Sequence, residues 1–461
     1  MPVFEKATLL PAIRAALALG CQIQPRSSFD RKHYFYHDQP AGYQLTQFYE
    51  AFAKHGSVRL TRDDGIGATE GAYKDIGIAQ VQMEQDTAKS QGSDGDSILI
   101  DYNRAGQALI EIISLPEIHS PETAVAYVRK VQSILLFVNA VATGMEMGGL
   151  RADVNVSVQR NLETRADKLG QRTEIKNLNT LKGVEAAIRA ERNRQINVLE
   201  AGEKVESETR AWSSATPSIT RRLRGKEDSV DYRYLPDPDL APIIIGEDLI
   251  GHLRRTLPIL PDQAVAMLTN DKQYGMSLTD AKILLSLNEG SRFEYYLRVV
   301  DETIVGSRGK HFDTASESIG PLAANWVLHE LGSLLTASGV RWQEDLVPAN
   351  KLAAILINLL DKKITGRSAK KILKLIFEGD KRDVNDILHE DGLEFHPLPN
   401  EEYLDLARSI MRDHADVVFQ IKDKGKTGKL MFLVGQMLKA GEVGRVEAKT
   451  AEEVLRRLIT S

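Results

Sequence analysis

Along the first 160 residues the spacing of apolar positions changes several times, and each change predicts a different element. Over residues 5–19, Leu9, Ile13, Ala16 and Leu17 recur at three-to-four spacing and Gly20 follows, which predicts a helix closed by a residue free to turn left-handed. Between Val58 and Ile113 the pattern shortens to alternating runs separated by Gly-rich turns at 63–71 and 91–96, the mark of antiparallel strands. Ser120-Pro121-Glu122 then supplies an N-cap, a proline at the first helical position and an acid in the first turn, ahead of a stripe of Val125, Val128, Val131, Leu135 and Val138. Over 151–160, Ala152, Val154, Val156 and Val158 alternate with Asp153, Asn155, Ser157 and Gln159, which predicts a strand with one polar face.

Pro236, Pro238, Pro258 and Pro261 punctuate a change of character. Beyond them nearly everything reads as helix, with apolar residues at helical spacing over 278–287, 320–335, 350–360, 368–377, 400–411, 430–438 and 452–458. The order is therefore an α+β region, a helical region and a small helical tail beginning near Gly392, with no internal repeat.

Length and charge narrow the classes. At 461 residues the chain has room for two or three domains. With 59 Lys+Arg against 64 Asp+Glu, a net charge of −5 and a mean hydropathy of −0.26, its composition is that of a soluble globular protein rather than a polycation. The apolar runs at 134–138 and 353–360 fall far short of the roughly 20 residues a bilayer span needs, so no membrane segment is expected. The single cysteine, Cys21, excludes an internal disulfide and a thiolate zinc site. The first residues carry neither a secretory signal nor an Arg-rich presequence.

Several familiar motifs fail. Gly425-Lys426-Thr427 resembles the end of a phosphate loop, but Gln420 stands where the upstream glycine belongs. Gly65, Gly67 and Gly71 miss the dinucleotide fingerprint and read as a turn. No nucleophile elbow or Ser-Ser-Gly-rich amidase stretch is present, so amide hydrolysis would have to come from a partner.

Three carboxylates carry the candidate chemistry. In residues 80–86, period two puts Gln80, Gln82, Glu84 and Asp86 on one face with Val81 and Met83 packed behind. Glu111 interrupts the aliphatic run Leu109-Ile110-Glu111-Ile112-Ile113, and a carboxylate buried there needs a proton, an ion pair or a metal. Asp153 lies on the polar face of the third strand beside Asn155. Oxygen donors of this kind suit Mg²⁺ held together with substrate phosphates. A solvent-facing strand for Glu84, a structural salt bridge for Glu111 and a surface role for Asp153 fit the same spacing.

Cations and aromatics mix over residues 29–38, where Arg31, Lys32 and Tyr34 suit phosphates and bases; a hairpin with buried aromatics is equally compatible. Lys176 is placed to neutralise a phosphate or to sit on a strand edge. Residues 362–374 hold six basic and no acidic side chains, and residues 421–461 hold nine against five. That asymmetry is compatible with a structured RNA held by its backbone, or with solvated helix faces.

In order, Phe29-Asp30-Arg31-Lys32-His33-Tyr34-Phe35-Tyr36, Met83-Glu84-Gln85-Asp86, Asp101-Tyr102-Asn103-Arg104-Ala105-Gly106, Leu109-Ile110-Glu111-Ile112-Ile113, Met145-Glu146-Met147-Gly148-Gly149-Leu150-Arg151-Ala152-Asp153-Val154-Asn155, Glu174-Ile175-Lys176-Asn177-Leu178-Asn179 and Asp231-Tyr232-Arg233-Tyr234-Leu235-Pro236-Asp237-Pro238-Asp239 resemble the B-subunit family of glutamyl-tRNA(Gln) amidotransferases. The likeness covers nearly the whole chain, the tail's Phe432-Leu433-Val434-Gly435-Gln436-Met437 included. It implies an α+β fold in three parts: a cradle-like catalytic domain with antiparallel sheet (1–258), an all-helical domain (259–392) and a small helical tail domain that contacts tRNA (393–461). It implies a ligase that phosphorylates the glutamyl side chain of mischarged Glu-tRNA(Gln) with ATP and amidates it with ammonia from an amidase-type A subunit, alongside a small C-type subunit. Glu84, Glu111 and Asp153 fall on the expected Mg²⁺ positions, with Lys176 joining them in catalysis. Arg31, Lys32, Tyr34, Arg151, Asn155 and Asn177 are the expected ATP and tRNA contacts.

The resemblance also has departures. Family members begin several dozen residues earlier, with a Glu-Val-His segment expected to complete the metal site, so a longer natural chain is expected. Gln85 and Met147 stand where many bacterial members carry glutamate, and no role is assigned to them. The wording over 73–90 and 98–106 is similar to fungal mitochondrial members, which implies the mitochondrial matrix, with the targeting segment absent from this chain. Two alternatives stay open from residues alone: a noncatalytic tRNA-binding scaffold with an incomplete metal site, and an archaeal-type enzyme, which predicts a large central insertion that is not seen.

Overall fold

The computed structural model describes residues 2–92, 97–159, 169–225, 233–307, 316–422 and 426–460. Residues 93–96 of a predicted turn, the end of the 151–160 strand at Arg160, Asp231, Tyr232 and Gly425 lie outside the described residues. The chain forms two compact units, residues 1–263 and 264–461.

In the first unit the elements run α1 (Leu9–Ala18), β1 (Gln22–Ile23), β2 (Arg26–Ser27), β3 (Asp30–His33), β4 (Tyr43–Thr46), β5 (Ala53–Thr61), β6 (Tyr73–Gln85), β7 (Lys89–Gly92), β8 (Ile98–Asp101), β9 (Ala108–Ser114), α2 (Pro121–Phe137), β10 (Ala152–Val156), β11 (Thr173–Leu178), α3 (Leu181–Glu200), β12 (Glu208–Trp212), β13 (Thr220–Gly225), β14 (Tyr234–Pro236), β15 (Ile243–Ile244) and α4 (Glu247–Arg255). Among the described strands, one four-stranded antiparallel sheet has the order β1-β5-β6-β9, and a second has the order β10-β11-β12-β13 with β11 and β12 parallel. A three-stranded sheet, β14-β3-β4, carries the cation-rich hairpin.

Local signals explain the helices. Ser120 Oγ accepts from the Thr123 amide at 3.1 Å and caps α2, while Gly20 closes the first helix at φ 70°. The apolar faces of α1 and α2 meet the first sheet in a core that includes Ile13, Leu19, Phe52, Leu60, Ile76, Val81, Val131 and Leu135. A second core, with Val125, Met145, Val156, Ile175, Val184 and Ala187, joins α2 and α3 to the second sheet.

That second junction is unusually polar. Glu191 of α3 is wholly buried and accepts from Thr220 Oγ1 (2.6 Å), Thr173 Oγ1 (2.8 Å), Gln195 Nε2 (3.0 Å) and Arg194 Nη2 (2.7 Å), with Arg210 Nε at 3.2 Å. The 20-residue helix that carries it has no apolar stripe to announce it: its buried face is Gly183, Val184, Ala187, Ala190, Glu191 and Gln195.

The predicted strand over 151–160 is shorter than its alternation. β10 ends at Val156, because the pairing with β11 runs only from Ala152 to Val156 and no described partner continues it. The 29–38 hairpin is present, but Phe35 and Tyr36 are 90% and 62% exposed at its tip rather than buried.

In the second unit every helix expected from the apolar spacing is found: α6 (Leu278–Ser286), α8 (Ser316–Asn325) with α9 (Leu331–Ser338), α10 (Ala349–Leu360), α11 (Gly366–Phe377), α13 (Asn400–Asp413), α15 (Leu430–Ala440) and α16 (Ala448–Thr460). Between them lie α7 (Ser291–Ser307), α12 (Val384–Glu390) and α14 (Ala415–Lys422), and α5 (Pro261–Asn270) straddles the division. α7 is central to its half: Tyr295 and Tyr296 are fully buried, and their hydroxyls donate to Val347 O (2.9 Å) and Gly320 O (3.2 Å). The tail has its own core of Tyr403, Ala407, Leu433, Val434, Met437 and Leu455. No helix among the described residues is long and apolar enough to cross a membrane.

Candidate functional site

Register decides what faces what on β6. This strand pairs with β9 so that Gln82 lies opposite Glu111 and Glu84 opposite Leu109, while β4 packs across it. Val81 and Met83 point into the core, as the alternation predicts. Glu84 is half-buried under two donors from β4: Gln44 Nε2 reaches Oε1 at 2.7 Å, and Thr46 Oγ1 reaches Oε2 at 2.9 Å.

The two glutamates are joined by Gln82, to which sequence spacing alone assigns no role. Gln82 is 4% exposed, and its Nε2 donates to Glu111 Oε2 at 2.8 Å and Thr46 Oγ1 at 3.0 Å, with Glu84 Oε2 at 3.5 Å. Its own oxygen accepts from Gln80 Nε2 at 2.6 Å. A buried amide is costly without partners, so this row holds the carboxylates in fixed positions.

Glu111 is on the outer strand of the sheet and the residue keeps contact with solvent, yet its carboxyl is crowded on the β6 side. Withdrawal from water, foremost, and then the neighbouring Glu84 carboxylate raise its pKa to about 7, against the pull of Lys32; Asp153 adds a smaller push in the same direction.

Asp153 owes its position to a bulge. Between the pairs Ala152–Leu178 and Val154–Ile175, β11 carries one residue more than β10. Asn177 absorbs the extra residue at φ 61°, a left-handed conformation that asparagine tolerates. Its N–H donates to Asp153 Oδ1 at 2.8 Å, and Lys176 Nζ stands 3.7 Å from Oδ2 and 3.5 Å from Glu174 Oε1. β11 lies between β10 and β12 in its sheet, and its pairing with β12 covers Glu174 and Ile175 only.

The remaining expected contacts separate. Arg31 turns inward: its Nε donates to Asp237 Oδ2 at 2.6 Å, its Nη2 to Asp239 Oδ2 at 2.7 Å, and its guanidinium lies 4.3 Å over the Tyr43 ring. Tyr34 is half-buried, and its N–H donates to Gly42 O at 3.1 Å. Asn155 is exposed on β10. Arg151 reaches Asp86 Oδ1 at 3.3 Å. In the second unit, the 362–374 cluster lies largely on α11, where Ala369, Ile372, Leu373 and Ile376 are buried. Part of its charge is matched locally by Lys363–Asp361 (3.7 Å), Lys370–Glu330 (2.7 Å) and Lys374–Glu378 (3.6 Å).

A pair of carboxylates with amide and hydroxyl donors behind them is an oxygen-rich site. The fit is to a hard divalent cation that takes one or two carboxylates and completes its shell with water and phosphate. Among the described residues no group of three or more His, Cys, Asp or Glu side chains is placed to hold a metal ion, so Glu84, Glu111 and Asp153 are not brought together as one three-carboxylate site. This geometry sits in the part of the chain matched by the GatB/GatE catalytic domain family, residues 1–251; the GatB domain matches residues 310–459. The chain belongs to this family. Among its relatives, the B subunit of the mitochondrial glutamyl-tRNA(Gln) amidotransferase of Ajellomyces dermatitidis is 53% identical over 466 residues, covering 99% of this chain and 76% of that protein. The proteins of the same name from Talaromyces marneffei and Ajellomyces capsulatus are 52% and 53% identical, again over 99% of this chain and over 78% and 80% of their own lengths. Membership in the GatB/GatE family makes the protein a subunit of a ligase-type amidotransferase.

Proposed function

We propose that the chain is the transamidase subunit of a glutamyl-tRNA(Gln) amidotransferase, converting Glu-tRNA(Gln) to Gln-tRNA(Gln) with ATP and ammonia. The observation that carries this reading is identity above half, over 99% of this chain, with relatives of that name, in a chain whose Glu84 and Glu111, bridged by Gln82, lie within the matched catalytic domain. The glutamyl side-chain carboxylate attacks the γ-phosphorus of ATP, ADP departs, and ammonia displaces phosphate from the acyl phosphate. Mg²⁺, when bound, neutralises charge on the phosphoryl oxygens. Glu84 and Glu111 would hold it, Asp153 would contribute a third negative charge, and Gln44, Thr46 and Gln82 hold the two glutamates in place by hydrogen bonds. Lys32 and Lys176 neutralise phosphate oxygens on either side. Arg151, Asn155, Asn177 and Tyr34 contact ATP or the tRNA end, whereas Arg31 supports the hairpin that carries Lys32.

Ammonia comes from an amidase-type A subunit, with a small C-type subunit completing the assembly. With the chain divided at residues 258 and 392, as the family resemblance implies, the tRNA body contacts fall to the helical and tail domains. Lys371 and the basic residues of the tail are the side chains for them. The mitochondrial names of the relatives support a mitochondrial protein, and the matrix, where mitochondrial tRNAs are charged, is the compartment proposed. The test is Gln-tRNA(Gln) formation by the chain assembled with its A and C partners, supplied with Glu-tRNA(Gln), ATP, Mg²⁺ and glutamine or ammonium. Product with both nitrogen sources supports the reading; an assembled complex that binds Glu-tRNA(Gln) but amidates nothing overturns it.

A further inference from the structure

Immediately beyond the carboxylate strand, two guanidiniums converge on one oxygen. Arg104 Nη2 and Arg151 Nη2 each lie 3.3 Å from Oδ1 of Asp86, which also accepts from the Thr87 N–H at 2.9 Å. Two positive charges share one negative charge, and among the described residues Arg104 has one other partner, Thr87 O, at 3.0 Å from Nε. These contacts are long for charge-assisted bonds, which usually close to about 2.7–2.9 Å. Elsewhere in the same unit Arg59 holds Asp75 with two contacts at 2.7 and 2.9 Å.

The arrangement is nonetheless built. Residues 102–107 form a tight turn, with Ala105 N–H on Tyr102 O (3.0 Å), Gln107 N–H on Arg104 O (3.1 Å) and Gly106 at φ 83°. The backbone of Asp86 docks this turn from both sides, donating to Gln107 O at 2.7 Å and accepting from Gly106 N–H at 2.9 Å. Arg104 is therefore fixed relative to β6, and Asp86 follows Glu84 by two residues, about 7 Å along an extended chain. Two guanidiniums thus share one carboxylate just past the end of the strand that carries Glu84.

Resting on the phosphoryl-transfer reading above, we propose that Arg104 and Arg151 form a two-guanidinium receptor for the phosphoryl group in transfer, with Asp86 as the positioning residue that holds both forks. As the glutamyl oxygen bonds to phosphorus and the bond to ADP breaks, negative charge stays on the equatorial phosphoryl oxygens, and the fork meets that charge. ATP is the only co-reactant required, and no redox change occurs.

The test uses the assembled amidotransferase complex carrying Arg104→Ala, Arg104→Lys or Arg151→Ala, and measures Glu-tRNA-dependent ADP release, kcat and KM for ATP, Glu-tRNA(Gln) affinity and Tm. Arg104→Ala is expected to lower kcat about 100-fold, with Tm and tRNA affinity unchanged and partial recovery in millimolar guanidinium. Arg104→Lys, which keeps the charge and the fold but not the fork, is expected to fall between the two. Wild-type kinetics in Arg104→Ala overturn the proposal, as does a loss in both variants that tracks Tm and resists guanidinium. A wild-type complex that releases no ADP overturns this proposal together with the functional reading, whereas an active wild type with indifferent arginine variants overturns this proposal alone.

Discussion

Replacing Glu191 by alanine empties the polar junction between α3 and the sheet that presents Asp153 and Lys176. The carboxylate is fully buried and accepts from Arg194, Thr173, Gln195 and Thr220, with Arg210 alongside. Removing one member of such a group costs about 3–5 kcal/mol, because the partners stay buried without it. Here the lower end applies: Arg210 keeps Glu208 at 2.6 Å, Arg194 keeps Glu208 at 3.2 Å, and Thr173 keeps Gln195 at 2.9 Å. About 3 kcal/mol corresponds to a Tm decrease of about 6–12 °C for a unit of this size. Burial alone would raise the Glu191 pKa, but hydrogen bonds, first from Arg194 and then from Thr220, Gln195 and Thr173, hold it below the ordinary 4.5. The folded-state value is the depressed one, so its contribution is complete above the unfolded value and disappears as pH falls through the folded one. Calorimetric scans of wild type and Glu191→Ala from pH 7 downward should show the full Tm difference at neutrality and a shrinking one below about pH 4. A Tm within 1 °C of wild type at pH 7, or a large difference that persists unchanged at pH 3, would refute this account of the junction.

Three further outcomes follow from particular contacts. Gln82→Leu leaves Glu111 and Thr46 without their shared donor, so it should cost about 1–3 kcal/mol in urea melts and lower kcat more than it raises KM for tRNA. At Asn177, φ 61° admits glycine readily and resists a β-branched residue. Asn177→Gly should therefore melt near wild type, while Asn177→Val loses about 1–2 kcal/mol and most amidation activity. Gly56→Ala would bring a methyl to 2.4 Å from Cys21 Sγ and 2.8 Å from the Leu19 carbonyl, so chemical denaturation should show a loss of about 1–3 kcal/mol.

Much of this structure was legible from spacing because burial imposes a period. The helices of the second unit each repeat apolar residues on one face, and every expected one is present. α3 escaped because its buried face is alanine, glutamate and glutamine, held by ion pairs to strands that come later in the chain. Glu111 stood out as an acid among aliphatics, and Glu84 by its place on the polar face of an alternating strand. The side chains that fix them did not, because Gln44 and Thr46 reach β6 only through a hairpin packed across it. The ion pairs of Arg31 were hidden for the complementary reason: its partners, Asp237 and Asp239, lie about two hundred residues away, and sequence order gives no hint of the pairing. The Arg104–Asp86–Arg151 fork likewise depends on a turn docking onto a strand end.

The central claim is that Glu84 and Glu111 serve phosphoryl transfer rather than merely hold the sheet. Its most direct test is the double variant Glu84→Gln/Glu111→Gln in the assembled complex, assayed for ADP release from ATP in the presence of Glu-tRNA(Gln) across a Mg²⁺ titration, with tRNA affinity measured alongside. The account predicts ADP release lowered by at least about 100-fold and a raised Mg²⁺ requirement, at undiminished tRNA affinity. ADP release at the wild-type rate with an unchanged Mg²⁺ dependence would contradict it.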